Sequence, residues 1–157
     1  MGFDNMPYYS YSKDEGGTWS DPLMVAPPIG LNGTGFPVIT AGSAGKVALG
    51  YLGDSGGDTW NGYLTVITDA FSVMPLITTV QVNAWGDPLD TSADCGYNRC
   101  GGFGDFNDIA IDQYGRAWFG HAHNVGGEIG IYGTMAIGPT LRDEALHPLP
   151  VGGPDTL

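Results

Sequence analysis

Residues 12–19 constrain the fold of this chain more than any other stretch, because they place turn-forming residues between strand-forming flanks. They read Ser-Lys-Asp-Glu-Gly-Gly-Thr-Trp, with a tyrosine-rich run before them and an apolar run after them. The serine and aspartate side chains can accept hydrogen bonds from nearby backbone N–H groups, and Gly16 and Gly17 can take a positive φ without strain. The stretch therefore predicts a β-hairpin whose loop is tied by its own side chains, with the indole of Trp19 packed over the turn.

This octapeptide resembles a known folding motif, the Asp-box of sialidase-like (BNR-repeat) β-propellers. The match covers every defining position of the motif: Ser12, Asp14, Gly16, Thr18 and Trp19. In that family the Asp-box lies on the outer rim of a propeller blade, away from the active site. The resemblance therefore implies an architecture more than it implies a chemistry.

An internal repeat indicates a fold built from recurring strand units. At a shift of 70 residues, apolar and glycine positions coincide, for example Ile39 with Ile109 and Gly50 with Gly120. Apolar runs between glycine-rich turns are typical of short β-strands. In the first unit we expect a strand and a turn over 36–45 and strands over 46–52, 62–68 and 76–82. In the second we expect strands over 106–111, 116–121 and 129–137, with Thr140 and Leu141 as candidates for a short fourth strand.

The strand pattern predicts an all-β chain with about two and a half blades of four antiparallel strands each, and the resemblance implies that these blades are part of a six-bladed type of β-propeller. The divisions are a half blade with the Asp-box over 1–27, a blade over 28–83, an inserted loop over 84–104, a blade over 105–141 and a tail over 142–157. Closed propellers need about four to eight blades. We therefore expect a fragment, a truncated product or one piece of a larger assembly, with the remaining blades or another chain as its partner.

The start of the second full unit adds to the resemblance and introduces candidate catalytic residues. The sequence Gly-Asp-Phe at 104–106, with Trp118 downstream, is similar to the start of a blade in bacterial sialidase-like proteins. The family's enzymes are usually secreted and hydrolyse terminal sialic acid. They use three arginines for the substrate carboxylate, a tyrosine nucleophile paired with a glutamate, and an aspartate as acid and base. On this resemblance Arg99 and Asp105 are the catalytic candidates, with turn capping as the alternative role of Asp105.

The scarcity of arginine limits what the resemblance implies for catalysis. The other two arginines are Arg116, expected to be solvated on the surface in a β-turn, and Arg142, in the tail. A complete arginine triad within the chain is therefore not expected, and no Tyr–Glu pair can be assigned. Two function classes stay open. One is a sialidase-like glycoside hydrolase to whose site this chain contributes a part, and the other is a non-catalytic propeller for carbohydrate binding or for scaffolding at a cell surface.

Charge and hydropathy restrict the partners further. The chain carries 17 acidic and 5 basic residues, a net charge of −12, which would repel nucleic acids and anionic membranes. A glycan or glycoconjugate stays the expected ligand. No stretch is long and apolar enough to span a membrane, and Met1 is not followed by a signal region. The resemblance implies a secreted or cell-surface protein whose signal lies outside this chain.

The remaining chemistry-bearing residues have both a functional and a structural interpretation. Cys95 and Cys100 predict a small loop disulfide, with two free thiols as the alternative. His121 and His123 lie on one face of a strand and could bind a metal, although a pair without a third ligand is more often structural. No cofactor is expected, with calcium as the alternative. Two acidic loops could bind calcium, with a solvated loop as the alternative for each: Asp54, Asp58 and Trp60 form the first, and Asp87, Asp90 and Asp94 form the second. The first loop could instead bind the face of a sugar.

Overall fold

The computed structural model describes residues 4–25, 30–57, 59–89, 107–123, 130–134 and 138–143, which form an all-β structure. Their strands are β1 (Tyr8–Tyr9), β2 (Leu23–Met24), β3 (Gly33–Ala41), β4 (Val47–Asp54), β5 (Trp60–Ile67), β6 (Ile77–Gln81), β7 (Asp108–Ile111), β8 (Ala117–Ala122) and β9 (Gly130–Thr134). These ranges contain no helix, and accordingly none that could cross a membrane. The all-β fold class predicted from the sequence is confirmed.

The strands form three antiparallel sheets in which consecutive strands are neighbours. The first sheet pairs β1 with β2, the central sheet has the order β3-β4-β5-β6, and the last sheet has the order β7-β8-β9. The fourth strand considered at Thr140 and Leu141 is not formed. The backbone of Leu141 instead joins two turns, because its N–H donates to the Gly115 carbonyl and its carbonyl accepts from the Ser43 N–H, each at 2.7 Å.

The central sheet begins earlier than the sequence pattern predicts. β3 starts at Gly33 rather than at Phe36, and its first residues pair with the end of β4. A β-bulge separates this segment from the rest of the strand, because the register shifts between Gly35 and Val38 and Phe36 has a φ of 51°. Glycine and proline are depleted in strands, so a pattern based on β-propensity does not detect this first segment.

The internal repeat is present in the register of the strands. Ile39 pairs with Leu49 in the central sheet, and the residues 70 positions later, Ile109 and Phe119, pair with each other in the last sheet. The connecting turns also correspond, because each contains a glycine with a positive φ, of 76° in the first and 80° in the second. The sequence repeat is therefore also a structural repeat.

Both faces of β4 and β5 are covered, because the central sheet lies between the other two sheets. Alternate residues of β4 and β5 point to opposite faces, and each face has its own apolar cluster. The cluster shared with the last sheet contains Ala48, Leu52, Leu64, Val66, Leu89, Ile109, Ala117, Phe119 and Leu141. The cluster shared with the first sheet contains Tyr9, Val25, Leu49, Tyr51, Tyr63, Ile67 and Ala70. Burial on both faces explains why neither strand alternates between apolar and polar residues.

Glycine allows the last sheet to approach the central sheet closely. A Cβ on Gly50 would lie 2.2 Å from the ring of Phe119, and a Cβ on Gly62 would lie 2.2 Å from Nε2 of His121. β7 lies against β3 and β4, and β8 lies against β5. This packing brings the end of β8 to the start of β5, at the end of the central sheet that carries the candidate site.

Candidate functional site

The loop at residues 12–19, here called the Asp-box loop after the motif that it resembles, is held by hydrogen bonds between its own side chains and backbone. The carboxylate of Asp14 accepts from the Thr18 N–H (2.8 Å), from the Thr18 hydroxyl (2.8 Å) and from the Ser12 hydroxyl (2.7 Å). The Ser12 oxygen in turn accepts from the Gly16 N–H at 2.8 Å. The hydrogen bonds from Thr18 and Ser12 lower the pKa of Asp14 to about 2, so its carboxylate is ionised at neutral pH.

Two details of this loop differ from the sequence prediction. Positive φ values occur at Glu15 (56°) and Gly16 (91°), but not at Gly17. Position 17 requires glycine for a different reason, which is lack of space: a Cβ there would lie 3.1 Å from the carboxylate of Asp14. The indole of Trp19 is 65% exposed, although one edge of it lies near the turn, 4.0 Å from the position that a Cβ on Gly16 would take.

The Asp-box lies at the end of the central sheet where β5 leads into β6. The hydroxyls of Tyr9 and Tyr11 donate to the carbonyls of Ala70 and Phe71, at 3.0 and 3.2 Å. Both carbonyls follow the end of β5, whereas this strand begins at Trp60, at the opposite end of the sheet. The polar residues that could form a ligand site lie at that opposite end.

A buried polar network at this opposite end centres on Asn83. The side chain of Asn83 accepts from the Gly62 N–H (2.9 Å) and donates to Oδ1 of Asn61 (2.8 Å) and to the Asp87 carbonyl (2.7 Å). Asn61 and Asn83 are only 7% and 4% exposed. Because a buried polar group without a partner costs about 1–3 kcal/mol, this satisfied network holds residues 83–87 against β5.

The two histidines predicted on one face of a strand are both buried beside this network. Nε2 of His123 lies 3.1 Å from the Asp87 carbonyl and 3.5 Å from the Asp87 carboxylate. Nδ1 of His121 lies 2.8 Å from the Ala122 carbonyl, while its Nε2 has no hydrogen-bond partner and is closed off by Gly62. Burial lowers the pKa of His121, so the ring is neutral at pH 7.

The geometry of the histidine pair fits packing better than metal binding. The centres of the two rings are 6.3 Å apart, and their Nε2 atoms have different surroundings. In the part of the chain that the structure describes, no group of three or more His, Cys, Asp or Glu residues is placed to hold a metal ion. The ring of His121 fills the space left by Gly62 and lies 5.3 Å from the ring of Phe119, so it contributes to the contact between two sheets.

A pocket of about 530 Å³ opens beside the network. Its lining includes two aromatic rings and four amide or hydroxyl side chains: Tyr63, Trp85, Asn61, Gln81, Ser55 and Thr59. The volume is in the range of small-molecule sites. The ring of Trp85 is 93% exposed, so a free apolar surface lies next to hydrogen-bonding groups.

Hydrogen bonds and burial preorganise the walls of this pocket. The amide of Gln81 donates to the carbonyls of Asn83 (3.2 Å) and Ala84 (3.4 Å), which directly precede Trp85. Burial raises the pKa of Tyr63, so its phenol stays protonated and can donate a hydrogen bond. None of the described residues that line the pocket carries a formal charge near pH 7. The pocket is therefore suited to a neutral, hydroxyl-bearing ligand.

The arginines in the described ranges lie at the β7–β8 turn and do not line this pocket. Nε of Arg116 donates to the Asp112 carboxylate at 2.7 Å, and the guanidinium lies 5.2 and 5.4 Å from the rings of Tyr114 and Trp118. Arg116 therefore lies at a surface turn as predicted, with 31% of its side chain exposed, but a carboxylate and two rings also engage it. Arg142 is exposed and adjoins the glycine of the same turn.

The other sequence-predicted site residues are only partly within the described structure. Those that lie outside it are Asp58, Asp90, Asp94, Cys95, Arg99, Cys100 and Asp105. The carboxylate of Asp54 accepts from the Gly56 N–H at 2.7 Å, and Trp60 is the first residue of β5 rather than a loop residue. Among the described residues of the two acidic loops, Asp87 joins the polar network, where its carbonyl accepts from the Asn83 side chain and lies 3.1 Å from Nε2 of His123.

Sequence reasoning missed the residues that form the network and most of those that line the pocket. The available signal was asparagine at positions 61 and 83, within or directly after a strand, where this residue is depleted. Residues 81–85, Gln-Val-Asn-Ala-Trp, also combine two amides with an aromatic ring directly after an apolar strand. Nothing in their spacing reveals that Asn61 and Asn83 meet.

Comparisons with family models, with curated proteins and with solved structures found no match. Residue chemistry and geometry therefore carry the functional inference. Two arrangements matter for it: the Asp-box hairpin, which bears on architecture, and the neutral pocket beside Trp85, which bears on ligand binding.

Proposed function

We propose that this protein binds an uncharged carbohydrate in the pocket beside Trp85. The observation that carries the proposal is an exposed indole next to amide and hydroxyl groups in a cavity of about 530 Å³. A sugar ring has apolar C–H faces that pack on an aromatic ring, and hydroxyl groups at its edge that pair with amides. Trp85 supplies the ring, while the Gln81 amide and the Thr59 hydroxyl supply polar groups.

Charge favours a neutral ligand over an acidic sugar. Recognition of a sugar carboxylate calls for a guanidinium or ammonium group, and no Arg or Lys is among the described residues that line the pocket. Arg116 is occupied by Asp112 at the β7–β8 turn. The net charge of −12 also disfavours the approach of an anion. Binding without hydrolysis is therefore better supported than sialic acid cleavage.

A sialidase-like glycoside hydrolase, to whose site this chain contributes a part, is the second candidate. The observation in its favour is the Asp-box loop, in which Asp14 accepts three hydrogen bonds as expected of a tied rim hairpin. That loop supports the architecture of the family rather than its chemistry. The residues such an enzyme would draw from this chain are Arg99 and Asp105, both outside the described ranges.

We also propose that the three sheets are consecutive blades of a β-propeller. The proposal is supported by sheets that stack face to face, by the recurring register, and by first strands β3 and β7 that lie side by side. The side chain of Asn107, directly before β7, donates to the Phe36 carbonyl within β3 at 3.2 Å. Secretion or display at a cell surface follows from the same resemblance and stays part of this proposal.

Titration with neutral and sialylated oligosaccharides, followed by tryptophan fluorescence and calorimetry, tests the proposed binding. We expect a preference for neutral sugars, and Trp85→Ala should weaken binding about tenfold, since a lost aromatic contact costs roughly 1.4 kcal/mol. Trp19→Ala is the matched control, because Trp19 is also exposed (65%) but belongs to the Asp-box. Equal effects of the two variants would contradict the site. Turnover of a fluorogenic sialoside would favour the hydrolase instead.

A further inference from the structure

The last sheet has a second face, here called the outer face, that points away from the central sheet. It is formed by Asp108 and Ala110 of β7 and by Trp118 and Gly120 of β8, which line an open groove of about 480 Å³. Asp108 and Ala110 are exposed. Within the residues that the structure describes, no further sheet packs on this face.

The internal repeat indicates what such a face accommodates. The residues 70 positions earlier form the equivalent face of the central sheet: Val38, Thr40, Ala48 and Gly50. That face is covered by the last sheet, where Ile109 and Phe119 pack against it. The natural occupant of the outer face is therefore a surface like that of Ile109 and its strand.

This chain carries such a surface at β3, in partly exposed form. Ile39 is the repeat equivalent of Ile109, yet Ile39 is 58% exposed whereas Ile109 is 8% exposed. The first sheet covers the same face of β4 and β5, as the burial of Leu49 shows, but its apolar cluster contains no residue of β3 among those described. A strip of β3 around Ile39 is therefore open, and we call it the β3 strip.

We propose that the outer face of the last sheet docks the β3 strip of a second copy of this chain. The contact corresponds, between two molecules, to the part of the contact between the last and central sheets that Ile109 makes within one molecule. The part made by Phe119 has no counterpart, because Leu49 is already buried under the first sheet. Because the two surfaces differ, the association is head-to-tail and forms a ring or an open chain of copies. The net charge of −12 opposes the approach of two copies, so association strengthens as salt screens the repulsion.

Sedimentation equilibrium of the full chain over a range of concentrations, at low and at high salt, tests this proposal. We expect reversible association that strengthens with salt. Ala110→Arg on the outer face and Ile39→Arg on the β3 strip should each raise the dissociation constant at least tenfold. An equimolar mixture of the two variants should form a heterodimer, because one variant keeps an intact β3 strip and the other an intact outer face. Val73→Arg, at an exposed residue (88%) of the β5–β6 turn, is the control and should associate like the wild type.

Several results would overturn the proposal. A wild-type chain that is monomeric at all concentrations would do so, and so would association that both arginine variants leave unchanged. A mixture of the two variants that stays monomeric would rule out head-to-tail contact. A monomer destabilised by Ala110→Arg would mean that residues of the same chain cover the outer face. Circular dichroism checks that each variant folds, and Ile39→Arg tests the contact independently of Ala110→Arg.

Discussion

The packing between the central and last sheets can be tested by adding one carbon atom at Gly50. A Cβ there would lie 2.2, 2.5 and 2.6 Å from three ring atoms of Phe119. Carbon atoms pack at about 3.5–4.0 Å, so the ring would have to retreat by more than about 1 Å. Phe119 has an exposure of 0%, so its ring cannot retreat unless the last sheet moves with it.

We expect Gly50→Ala to lower the free energy of unfolding by about 2 kcal/mol. Overpacking of a well-packed core costs about 1–3 kcal/mol, and the fully buried ring places this clash at the upper end. Replacing glycine also reduces the entropy of the unfolded chain, which offsets about 0.4–1 kcal/mol. Urea unfolding followed by tryptophan fluorescence and circular dichroism measures the difference, which is large against a typical total of about 5–15 kcal/mol.

Gly33→Ala is the matched control, because this strand glycine has room for a methyl group. Its Cβ would lie 3.6 Å from the nearest atom, Cβ of Asn5, so the change should stay within about 0.5 kcal/mol. A smaller side chain at position 119 should relieve the clash, so Gly50→Ala combined with Phe119→Leu should cost less than the sum of the single changes. Additive effects, or a Gly50→Ala variant as stable as Gly33→Ala, would refute the close sheet packing.

Three further predictions concern titration and the polar network. Burial lowers the pKa of His121, so the free energy of unfolding should fall as pH drops below 6.5, where the unfolded chain takes up the proton more readily than the folded chain. His121→Leu should flatten the dependence of the urea midpoint on pH. An unchanged slope would contradict this. The pKa of Asp14 is lowered from 3.8 to about 2, so its contribution is complete above pH 3.8 and lost as pH falls to about 2. Asp14→Ala should therefore lower the melting temperature at pH 7 and converge with the wild type in acid, and a constant difference would argue against the tied loop. Asn83→Ala leaves two buried groups, the Gly62 N–H and Oδ1 of Asn61, without the Asn83 side chain and should cost about 2–4 kcal/mol in urea unfolding. A loss below about 0.5 kcal/mol would mean that the network does not form.

Local chemistry was sufficient to predict the fold class and the repeat. Strand period and turn residues act between neighbours in the sequence, so apolar runs between glycine-rich turns were enough to indicate an all-β chain. The shift of 70 residues found in the sequence recurs in the pairing of Ile39 with Leu49 and of Ile109 with Phe119. The bonds of the Asp-box loop are also local, because Ser12, Asp14 and Thr18 all lie within one turn.

Element boundaries depended on partners that are distant in sequence. β3 begins at Gly33 because this segment pairs with the end of β4, although its glycines are poor strand formers. Leu141 forms no strand because its backbone joins the turns at Ser43 and Gly115. Arg116 is paired as well as partly exposed, because the turn brings Asp112, Tyr114 and Trp118 around it. Such contacts leave no periodic pattern in the chain.

The tied hairpin at 12–19 and the repeated strand units were determined by the sequence alone, because their bonds join residues that are near neighbours. The candidate site was decided only by the tertiary structure. Asn83 bonds to Asn61, 22 positions earlier, because the residues after β6 turn back to the start of β5. The ring of His121 packs against Gly62 because this glycine has no Cβ to keep the two sheets apart. Sheet packing decides which polar side chains come into contact. This packing depends on all the apolar contacts between the sheets, and no local stretch of sequence determines it.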